Sequence, residues 1–262
     1  KPKGVMLSHH NIITNTQFVV HAVQQTEAVV TWIPAFHDHG IMSALFVPLL
    51  LGRPSFILSP LDFLKHPVCW LQAISQAPPC ISTCSNFSLE WCCDKIQPPD
   101  CESLDLRHWQ KASCGSEKNE LDTIERFSKQ FSAYGVRDSI FSPCYGLAEH
   151  TLCVSGYAMD RAESPTALHL DTQALAQGQV QTTATSQRGT TLLNHGPAIS
   201  QHQIHIVSPE DQTVCSENTI GEIWCQGDSI ALGYWNNPTA TVDTFSAYTK
   251  DGIGPRLKTG DL

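Results

Sequence analysis

The chain has 262 residues, of which 41% are hydrophobic and 16% charged, a balance that excludes a disordered protein and predicts a packed core. The formal net charge of −9 argues against nucleic-acid binding, because an acidic chain is repelled by phosphate backbones. The longest apolar run covers residues 41–51 and is too short for a membrane span.

Residues 1 to about 150 alternate between helical and strand-like patterns. Helices are predicted over residues 9–25, 41–51, 67–76, 86–95 and 116–131. Strands are predicted over residues 28–32, 55–58, 80–83, 110–113 and 139–141. This alternation predicts an α/β fold with a mostly parallel sheet and flanking helices. Ligands of such sheets bind beyond the carboxyl ends of the strands.

Single residues mark the ends of these predicted helices. Ser8 and Ser116 are interpreted as N-caps, and Pro67 occupies a first-turn position. Gly52 is predicted to end the helix over 41–51. The helix over 116–131 carries a periodic apolar face that should be buried, formed by Leu121, Ile124, Phe127 and Phe131.

The composition changes after this region. Residues 157–190 are rich in Gln, Thr and Ser, which predicts an exposed loop or a loosely packed insertion. Short strands over 203–207 and 221–226 predict a small antiparallel β subdomain. The predicted organisation is therefore an α/β part over 1–156, a polar insertion over 157–190 and a β-rich subdomain over 191–262.

Eleven cysteines occur in the chain, and none forms a Cys-x-x-Cys pair. We interpret them as reduced, mostly buried thiols of a cytoplasmic protein, with a zinc site near Cys80 and Cys84 as the alternative. His202 and His205 are separated by an odd offset, so on a strand they would face opposite sides and could not chelate together.

Four short segments follow one another at wide spacing: Lys1-Pro-Lys-Gly-Val5, Tyr145-Gly-Leu-Ala-Glu149, Gly221-Glu-Ile and Thr259-Gly-Asp261. Each is weak alone, but their order together resembles the adenylate-forming superfamily of acyl-CoA synthetases, firefly luciferase and peptide-synthetase adenylation domains. The resemblance implies layered, mostly parallel sheets followed by a smaller, barrel-like β subdomain. It also implies that the chain is truncated at both ends.

In that superfamily a carboxylate attacks the α-phosphate of ATP, so the resemblance implies ATP and Mg²⁺ as cofactors. Glu149 would bind Mg²⁺, and Lys3 would contact the β- and γ-phosphates. Asp261 would accept both ribose hydroxyls. Tyr145 would pack against adenine, while Gly146 would let the backbone approach the α-phosphate. From the residues alone, two other interpretations stay open. Lys3 belongs to an ordinary basic terminus in the first, and Tyr145 and Glu149 are a core tyrosine and a glutamate at a helix N-terminus in the second.

A further segment, Ser113-Cys-Gly-Ser-Glu117, stands where the family has a Gly-Ala-Glu-Pro-like adenine segment. Gly115, Ser116 and Glu117 would line the base through their backbone, with a plain strand-to-helix turn as the alternative. Lys118 replaces the family's proline.

The segment Trp32-Ile-Pro-Ala-Phe-His-Asp-His-Gly40 resembles the family's His-Asp-Met-Gly segment, with His39 in place of methionine. His37 would line the acyl end of the site and orient the carboxylate. A metal site formed by His37, Asp38 and His39 is the alternative, although three consecutive residues chelate poorly.

The segment Gly233-Tyr-Trp-Asn-Asn-Pro238 also matches the family, as architecture rather than as a site. Pro238 is predicted to begin a helix. Trp235 and Phe245 are interpreted as core residues.

Three features resemble the fatty acyl-AMP ligase branch: Ser59-Pro-Leu-Asp-Phe63, Ala148-Glu-His-Thr-Leu152, and the long stretch between Glu149 and Gly221. This branch implies activation of a fatty acid to acyl-AMP, with an acyl carrier protein or phosphopantetheine thiol as acceptor. The alternatives are a CoA ligase or amino-acid adenylation domain, and a non-catalytic module that binds an acyl chain or a partner protein.

The sequence departs from the family pattern at residues 82–87, Lys118 and His150, which indicates either a retuned substrate choice or a degenerate copy. The chain starts at the tail of the family's phosphate loop and stops before the mobile C-terminal domain with its catalytic lysine. We therefore expect a fragment of a longer polypeptide that is inactive alone.

Overall fold

The structure is a computed structural model. It describes residues 3–23, 25–157, 164–183 and 189–262. The α-helices of these residues are α1 (His9–Ala22), α2 (Asp38–Ile41), α3 (Val47–Leu51), α4 (Pro60–Lys65), α5 (Val68–Gln76), α6 (Asn86–Lys95), α7 (Leu121–Phe131), α8 (Thr172–Ala176) and α9 (Pro238–Phe245). A π-helical segment covers Met42–Phe46, and short 3₁₀ helices cover Pro98–Cys101, Ser132–Tyr134, Asp138–Ile140 and Ala148–His150.

The strands follow the same chain order. They are β1 (Val5–Met6), β2 (Ala28–Thr31), β3 (Ser55–Ile57), β4 (Cys80–Cys84), β5 (Trp109–Cys114), β6 (Phe141–Pro143), β7 (Tyr145–Gly146), β8 (Cys153–Ser155), β9 (Ala167–Asp171), β10 (Gly189–Leu193), β11 (Gln203–Val207), β12 (Glu222–Gln226), β13 (Gly233–Tyr234) and β14 (Leu257–Lys258).

Five strands form one central sheet in the order β3, β2, β4, β5, β6, and all four pairings are parallel. This confirms the predicted α/β architecture. Every residue of β2 is buried, as expected for a strand covered on both faces. The strands point the same way, so the loops that follow β2, β4, β5 and β6 meet at one edge of the sheet.

Aromatic side chains fill the core on one face of this sheet. Trp70 and Trp109 are fully buried with ring centroids 5.3 Å apart, and Phe127 lies 6.2 Å from Trp109. Such edge-on aromatic pairs contribute about 0.5–1.5 kcal/mol each beyond their burial. The predicted apolar face of α7 points into this core, with Phe131 fully buried and Leu121 packed against it.

The opposite face of the sheet packs against α1 and α3. Ala22 and Val23 contact a smaller cluster that contains Val29, Ile81 and Val47. Successive residues of a strand point to opposite faces, so Val29 and Ile81 face away from the aromatic core. This second face borders the cavity described below.

Several helix boundaries match the prediction, and three do not. Pro67 is the N-cap of α5 and not a residue of its first turn, because the helix begins at Val68. Ser8 caps α1 in a reciprocal pair with Asn11, and Gly52 ends α3 with a left-handed φ of 63°. The predicted extension of α1 to residue 25 is wrong, because the helix ends at Ala22 and the chain then turns into β2. Ser116 is not the N-cap of α7. Its φ is 72°, whereas an N-cap residue is extended, and α7 begins five residues later at Leu121.

The predicted polar insertion contains secondary structure that its composition concealed. β9 and β10 pair antiparallel from Ala167↔Leu193 to Asp171↔Gly189, and Asp171 caps α8 by accepting from two backbone N–H groups. Only Leu170 and Leu193 of this strand pair are buried, so the apolar alternation was weak. Residues 158–163 and 184–188 of the insertion lie outside the described residues.

The C-terminal part is β-rich, as predicted. β11 and β12 pair antiparallel, and β14 adds to β12. β1 pairs with β13, which places Val5 beside Tyr234. The interpretation of Trp235 as a core residue is wrong, because its side chain is 68% exposed on the outside of this strand pair. Phe245 is partly buried against Val154, Cys225 and Leu257.

The cysteines are all free, and seven of the eleven are buried, which agrees with the prediction of mostly buried thiols. Among the described residues, no group of three His, Cys, Asp or Glu side chains is arranged to hold a metal ion, so neither predicted zinc alternative gains support. None of the helices in the described ranges has the length and apolar character that a bilayer span requires.

Candidate active site

A cavity of about 460 Å³ opens beside the carboxyl ends of β4, β5 and β6. Its apolar lining comes largely from α1 and the central strands, and its polar lining comes from these strands and from the segments that follow them. The apolar lining includes Phe18, Val19, Ala22, Val23, Val29, Val47 and Ile81. The segments that follow the central strands contribute His37, Asp38, His39, Gly115, Ser116, Tyr145 and Gly146.

His37 is the N-cap of α2, and the Asp38 carboxylate beside it accepts the His39 N–H at 2.6 Å. The Nδ1 atom of His37 lies 2.6 Å from the same carboxylate. Asp38 therefore orients the imidazole of His37 at the cavity wall. His37 therefore lines the cavity, and its predicted role toward the substrate carboxylate stays a prediction.

His39 connects two of the loops. It is buried, and burial followed by the charge of neighbouring His37 lowers its pKa to about 4. Its Nδ1 atom lies 3.0 Å from the Ser116 hydroxyl. A neutral imidazole thus joins the loop after β2 to the loop after β5. The His39 ring points to Ser116. His37, Asp38 and His39 are therefore not arranged around one metal position, in agreement with the absence of such a group among the described residues.

Gly115 and Glu117 follow β5, but only Gly115 lines the cavity. The Gly115 N–H donates to the Cys84 carbonyl at 3.2 Å, which fixes its backbone at the sheet edge. The Glu117 carboxylate accepts the Phe87 N–H at 2.6 Å and therefore stabilises the first turn of α6. The Glu117 carboxylate is therefore engaged within the protein and not directed at the cavity. The predicted role of its backbone in lining adenine stays a prediction.

Tyr145 and Asp261 are separated by 116 residues and are joined by a 2.5 Å hydrogen bond from the phenol to the carboxylate. Burial, and then this bond, raises the pKa of Tyr145 well above its usual range, so the phenol stays a donor. Asp261 is also held through its backbone, because its carbonyl accepts the Ile223 N–H at 2.8 Å. The two predicted nucleotide residues therefore lie together.

Gly146 leaves no room for a side chain, because another backbone segment of the chain passes close to it. A Cβ atom at this position would lie 2.0 Å from the Leu152 carbonyl oxygen, which belongs to the turn between β7 and β8. The sequence predicted this glycine from the approach of a phosphate. The structure adds a second reason, which is the close crossing of two backbone segments.

Glu149, Tyr234 and Lys3 form a second connected group. The Tyr234 hydroxyl donates to Glu149 Oε1 at 2.6 Å. The Lys3 ammonium lies 4.4 Å from the centroid of the Tyr234 ring, a cation–π distance. Ala148, which precedes Glu149, lines the cavity. The predicted catalytic residues Lys3 and Glu149 are thus connected through Tyr234.

Two residues of the site were missed by sequence analysis. Tyr234 belongs to the Gly233-Tyr-Trp segment, which was interpreted as architecture only. Glu222 is buried, and its carboxylate accepts the Gly260 N–H at 2.8 Å and the Trp224 indole N–H at 3.1 Å. It thereby holds the loop that carries Asp261. Glu222 belongs to the motif Gly221-Glu-Ile, which sequence analysis recognised as part of the family pattern without giving its glutamate a role.

Residues 1–235 match the sequence profile of the AMP-binding enzyme family, which is most of the chain. The chain belongs to the family of AMP-binding enzymes. Its similarity to individual members of the family extends over its full length.

Two relatives of this AMP-binding chain illustrate the similarity. The 4-hydroxyphenylalkanoate adenylyltransferase of Mycobacterium marinum is 36% identical over 272 residues, covering 100% of the chain and 43% of the relative. The medium-chain fatty acid–acyl-carrier-protein ligase JamA of Moorena producens is 35% identical, covering 100% of the chain and 45% of the relative.

A crystal structure of a fatty acyl-adenylate ligase from L. pneumophila, in complex with acyl adenylate and pyrophosphate, has the same fold as this chain. The TM-score is 0.93 at 33% identity, covering 99% of the chain and 45% of that protein. The fold is therefore that of the large domain of acyl-AMP ligases. The chain spans less than half the length of the relatives it matches.

The residues of this AMP-binding chain fit a nucleotide with its cation. Mg²⁺ is usually held by one or two carboxylates together with substrate phosphates, and Glu149 supplies a carboxylate beside the cavity wall. Asp261 supplies two acceptor oxygens suited to a diol, and Lys3 supplies a cation near Glu149. The loops after β5 and β6 supply backbone groups along the cavity. The individual roles of these residues remain predictions.

Proposed function

We propose that this chain is part of an enzyme that activates a fatty acid with ATP and transfers the acyl group to the thiol of an acyl carrier protein. A carboxylate oxygen attacks the α-phosphorus of ATP, a new acyl–oxygen–phosphorus bond forms, and the bond to the β-phosphate breaks. The products are acyl-AMP and pyrophosphate. The observation that carries this proposal is one cavity with an apolar lining for an acyl chain and loop residues suited to a nucleotide.

The apolar part supports a fatty acid as substrate. Phe18, Val19, Ala22 and Val23 come from α1 and the residue after it, and Ala22 and Val23 pack with Val29 into one apolar wall of the cavity. Burying an alkyl chain against such a wall contributes about 0.8 kcal/mol for each methylene group. JamA and the long-chain-fatty-acid–AMP ligase FadD26 of Mycobacterium tuberculosis, 33% identical to this chain, act on fatty acids by their names. JamA also supports the carrier-protein thiol as acceptor.

The polar part supports the chemistry of adenylation. Both reactants are anions, so their approach requires cations and N–H donors. In the proposed arrangement His37 orients the fatty acid carboxylate and Lys3 neutralises phosphate charge. Glu149 would hold Mg²⁺, which supplies further charge neutralisation when bound. Tyr145 and Asp261 would bind adenine and ribose, after their mutual hydrogen bond exchanges for bonds to the nucleotide.

We also propose a reducing, cytoplasmic location for the protein. All eleven cysteines are free, including Cys84 and Cys114, whose Sγ atoms lie 3.1 Å apart on neighbouring strands. Cysteines this close remain thiols where glutathione and thioredoxin keep them reduced.

Exchange of radiolabelled pyrophosphate into ATP, driven by decanoic or dodecanoic acid, tests the proposal in the protein that contains this chain. Glu149→Gln keeps the shape of the side chain but removes its charge. We expect a loss of exchange by roughly 10²–10³-fold, the usual cost of removing one electrostatic group from such a site. Glu125→Gln, on the exposed surface of α7, is the matched control and should leave exchange unchanged.

The outcomes separate the competing functions. Unchanged exchange in Glu149→Gln would contradict the role of this carboxylate. ATP binding without exchange for any acid would identify a non-catalytic module. Formation of acyl-CoA instead of acylated carrier protein, separated by chromatography, would identify a CoA ligase.

A further inference from the structure

Thr151 has a backbone conformation that its branched side chain disfavours. It follows the 3₁₀ helix that carries Glu149, and its φ and ψ are 70° and −57°. The Leu152 N–H donates to the His150 carbonyl at 2.9 Å, which closes a three-residue γ-turn around Thr151. A γ-turn of this hand is rare and strained, and a positive φ is an outlier for a β-branched residue. No other β-branched residue in the described ranges has a positive φ.

The surroundings of Thr151 hold it in this conformation. Its side chain is buried, with 1% of its surface exposed. Its hydroxyl donates to the Ser229 carbonyl at 2.7 Å, and its N–H donates to the Ala148 carbonyl at 3.0 Å. A strained residue persists only where the structure around it fixes its conformation, and such residues cluster at functional sites.

The segment that anchors Thr151 also contacts Glu149. The Glu149 carbonyl accepts the Ala231 N–H at 2.9 Å. Three residues further along the chain, the Tyr234 hydroxyl donates to Glu149 Oε1 at 2.6 Å. Residues 229–234 therefore bind the backbone of Glu149, its carboxylate and the turn that follows it. The position of the carboxylate depends on that turn, because both belong to one short segment.

Helix α1 holds both segments from a single side. Asn11 and Asn15 lie one helical turn apart and are buried. The Asn11 amide donates to the Asp228 and Ile230 carbonyls at 2.7 and 2.9 Å. The Asn15 amide donates to the Cys153 carbonyl at 2.8 Å. The strained turn is thus fixed between two anchored segments and cannot relax without breaking bonds to them.

We propose that Thr151 is a positioning residue for Glu149. Its turn, anchored to Ser229 by the hydroxyl, fixes the Glu149 carboxylate in the orientation that would bind Mg²⁺. Glycine would adopt this conformation without strain, but it has no hydroxyl to anchor the turn. This inference rests on the proposed function, because it names a residue that orients the metal ligand of the same site.

Two substitutions test this role in the protein that contains this chain. Thr151→Val keeps the branched shape and removes the hydroxyl, whereas Thr151→Ser keeps the hydroxyl. We expect the affinity for Mn²⁺ in the presence of ATP to fall by roughly 10- to 100-fold in Thr151→Val, the usual effect of losing a group that orients a metal ligand. Thr151→Ser should retain the affinity. Electron paramagnetic resonance measures it, and Thr239→Val, at an exposed position of α9, is the control.

A third substitution covers the case in which Thr151→Val does not fold. Thr151→Gly accepts the positive φ without strain and lacks the hydroxyl, so it should fold and still lose Mn²⁺ affinity. Retained affinity in a folded variant without the hydroxyl would overturn the positioning role. An equal loss in Thr151→Ser would also overturn it, because the hydroxyl would then not be the group that matters.

Hydrogen–deuterium exchange without metal or nucleotide separates this inference from the proposed function. Peptides that cover residues 145–156 and 228–234 should exchange faster in Thr151→Val than in the wild type and Thr151→Ser. If Glu149→Gln leaves the Mn²⁺ affinity unchanged, the proposed role of Glu149 fails, while exchange still decides whether Thr151 holds the segment. Exchange at the wild-type rate in Thr151→Val would overturn the anchoring by the hydroxyl.

Discussion

Tyr234 contacts two of the predicted catalytic residues, Glu149 near the middle of the chain and Lys3 near its start. Its pKa is raised to about 12, first by burial and then by the bond to Glu149, so it remains a donor throughout the physiological range. Its ring is covered by Lys3. Tyr234 thus orients one carboxylate oxygen of Glu149 through its hydroxyl and positions Lys3 through its ring.

Tyr234→Phe should separate these two contacts, because it keeps the ring and removes only the hydroxyl. We expect the affinity for Mn²⁺, a stand-in for Mg²⁺, to fall by roughly 10- to 100-fold, as is usual when a group that orients a metal ligand is removed. Electron paramagnetic resonance of Mn²⁺ in the presence of ATP measures this directly. Tyr248→Phe, at an exposed site, is the control. Unchanged Mn²⁺ affinity in Tyr234→Phe would contradict the positioning role.

Two buried histidines predict a pH dependence of stability. Burial is the main cause that lowers the pKa of His39 and of His150 from 6.5 to about 4, and His202 adds to the effect on His150. Between these two pH values the unfolded chain binds protons that the folded chain does not. The free energy of unfolding therefore falls as the pH decreases from 6.5 to 4, by about 1.4 kcal/mol per pH unit for each histidine.

Urea unfolding at a series of pH values measures this slope. His150→Asn should remove one histidine's share of the slope and leave the shares of His39 and of His195 and His205, whose pKa burial also lowers. Gln130→Asn, on exposed α7, introduces no titrating group and should leave the slope unchanged. A wild-type free energy of unfolding that stays constant across this pH window would show that these histidines are not buried in the neutral form.

At the scale of elements, the β7–β8 hairpin determines where Tyr145 and Glu149 lie. The turn is tight, since the Leu147 N–H donates to the Leu152 carbonyl at 2.9 Å. Asn15 of α1 holds the same turn, because its amide donates to the Cys153 carbonyl at 2.8 Å and accepts the Cys153 N–H at 3.0 Å. The hairpin is therefore attached to α1, which also forms part of the apolar lining.

Gly146→Ala should disrupt this hairpin. The added methyl group would lie 2.0 Å from the Leu152 carbonyl oxygen, so the backbone must move, at a cost of about 1–3 kcal/mol. Chemical denaturation measures the change in the free energy of unfolding. Gly156→Ala is the control for stability, since its added methyl group would meet only ordinary contacts at 3.5 Å or more. Equal stability of the two variants would contradict this account of Gly146.

At the scale of the whole molecule, the fold brings distant segments to one edge of the central sheet. β1 pairs with β13, and the Asp261 carbonyl accepts an N–H from β12. The aromatic core on one face of the sheet and the cavity on the other use alternate residues of the same strands. The site therefore depends on the integrity of the whole sheet rather than on one loop.

The burial of the cysteines gives a whole-molecule test of this packing. Seven cysteines are buried, and burial raises the pKa of Cys69, Cys144 and Cys153 among the other four. Thiolate is the reactive form, so these thiols should react slowly with Ellman's reagent, and half-buried Cys215 should react first. In denaturant all eleven should react at once. Rapid reaction of more than four thiols in the native protein would contradict the packing.

The sequence by itself determined the features whose contacts are local. The cap at Ser8, the turn at Gly52 and the bounds of α6 depend on residues within one helical turn, and all three agree with the prediction. The parallel sheet followed from the alternation of elements, because a strand–helix–strand unit has few ways to pack. The family followed from the order of its motifs.

Only the tertiary structure decided how the site is assembled. Tyr234 and Glu149 are 85 residues apart, and Tyr145 and Asp261 are 116 apart, so no local pattern reports these bonds. The exposure of Trp235 was likewise not readable from its apolar character. Which face of a strand meets a core, a cavity or solvent depends on the elements packed against it.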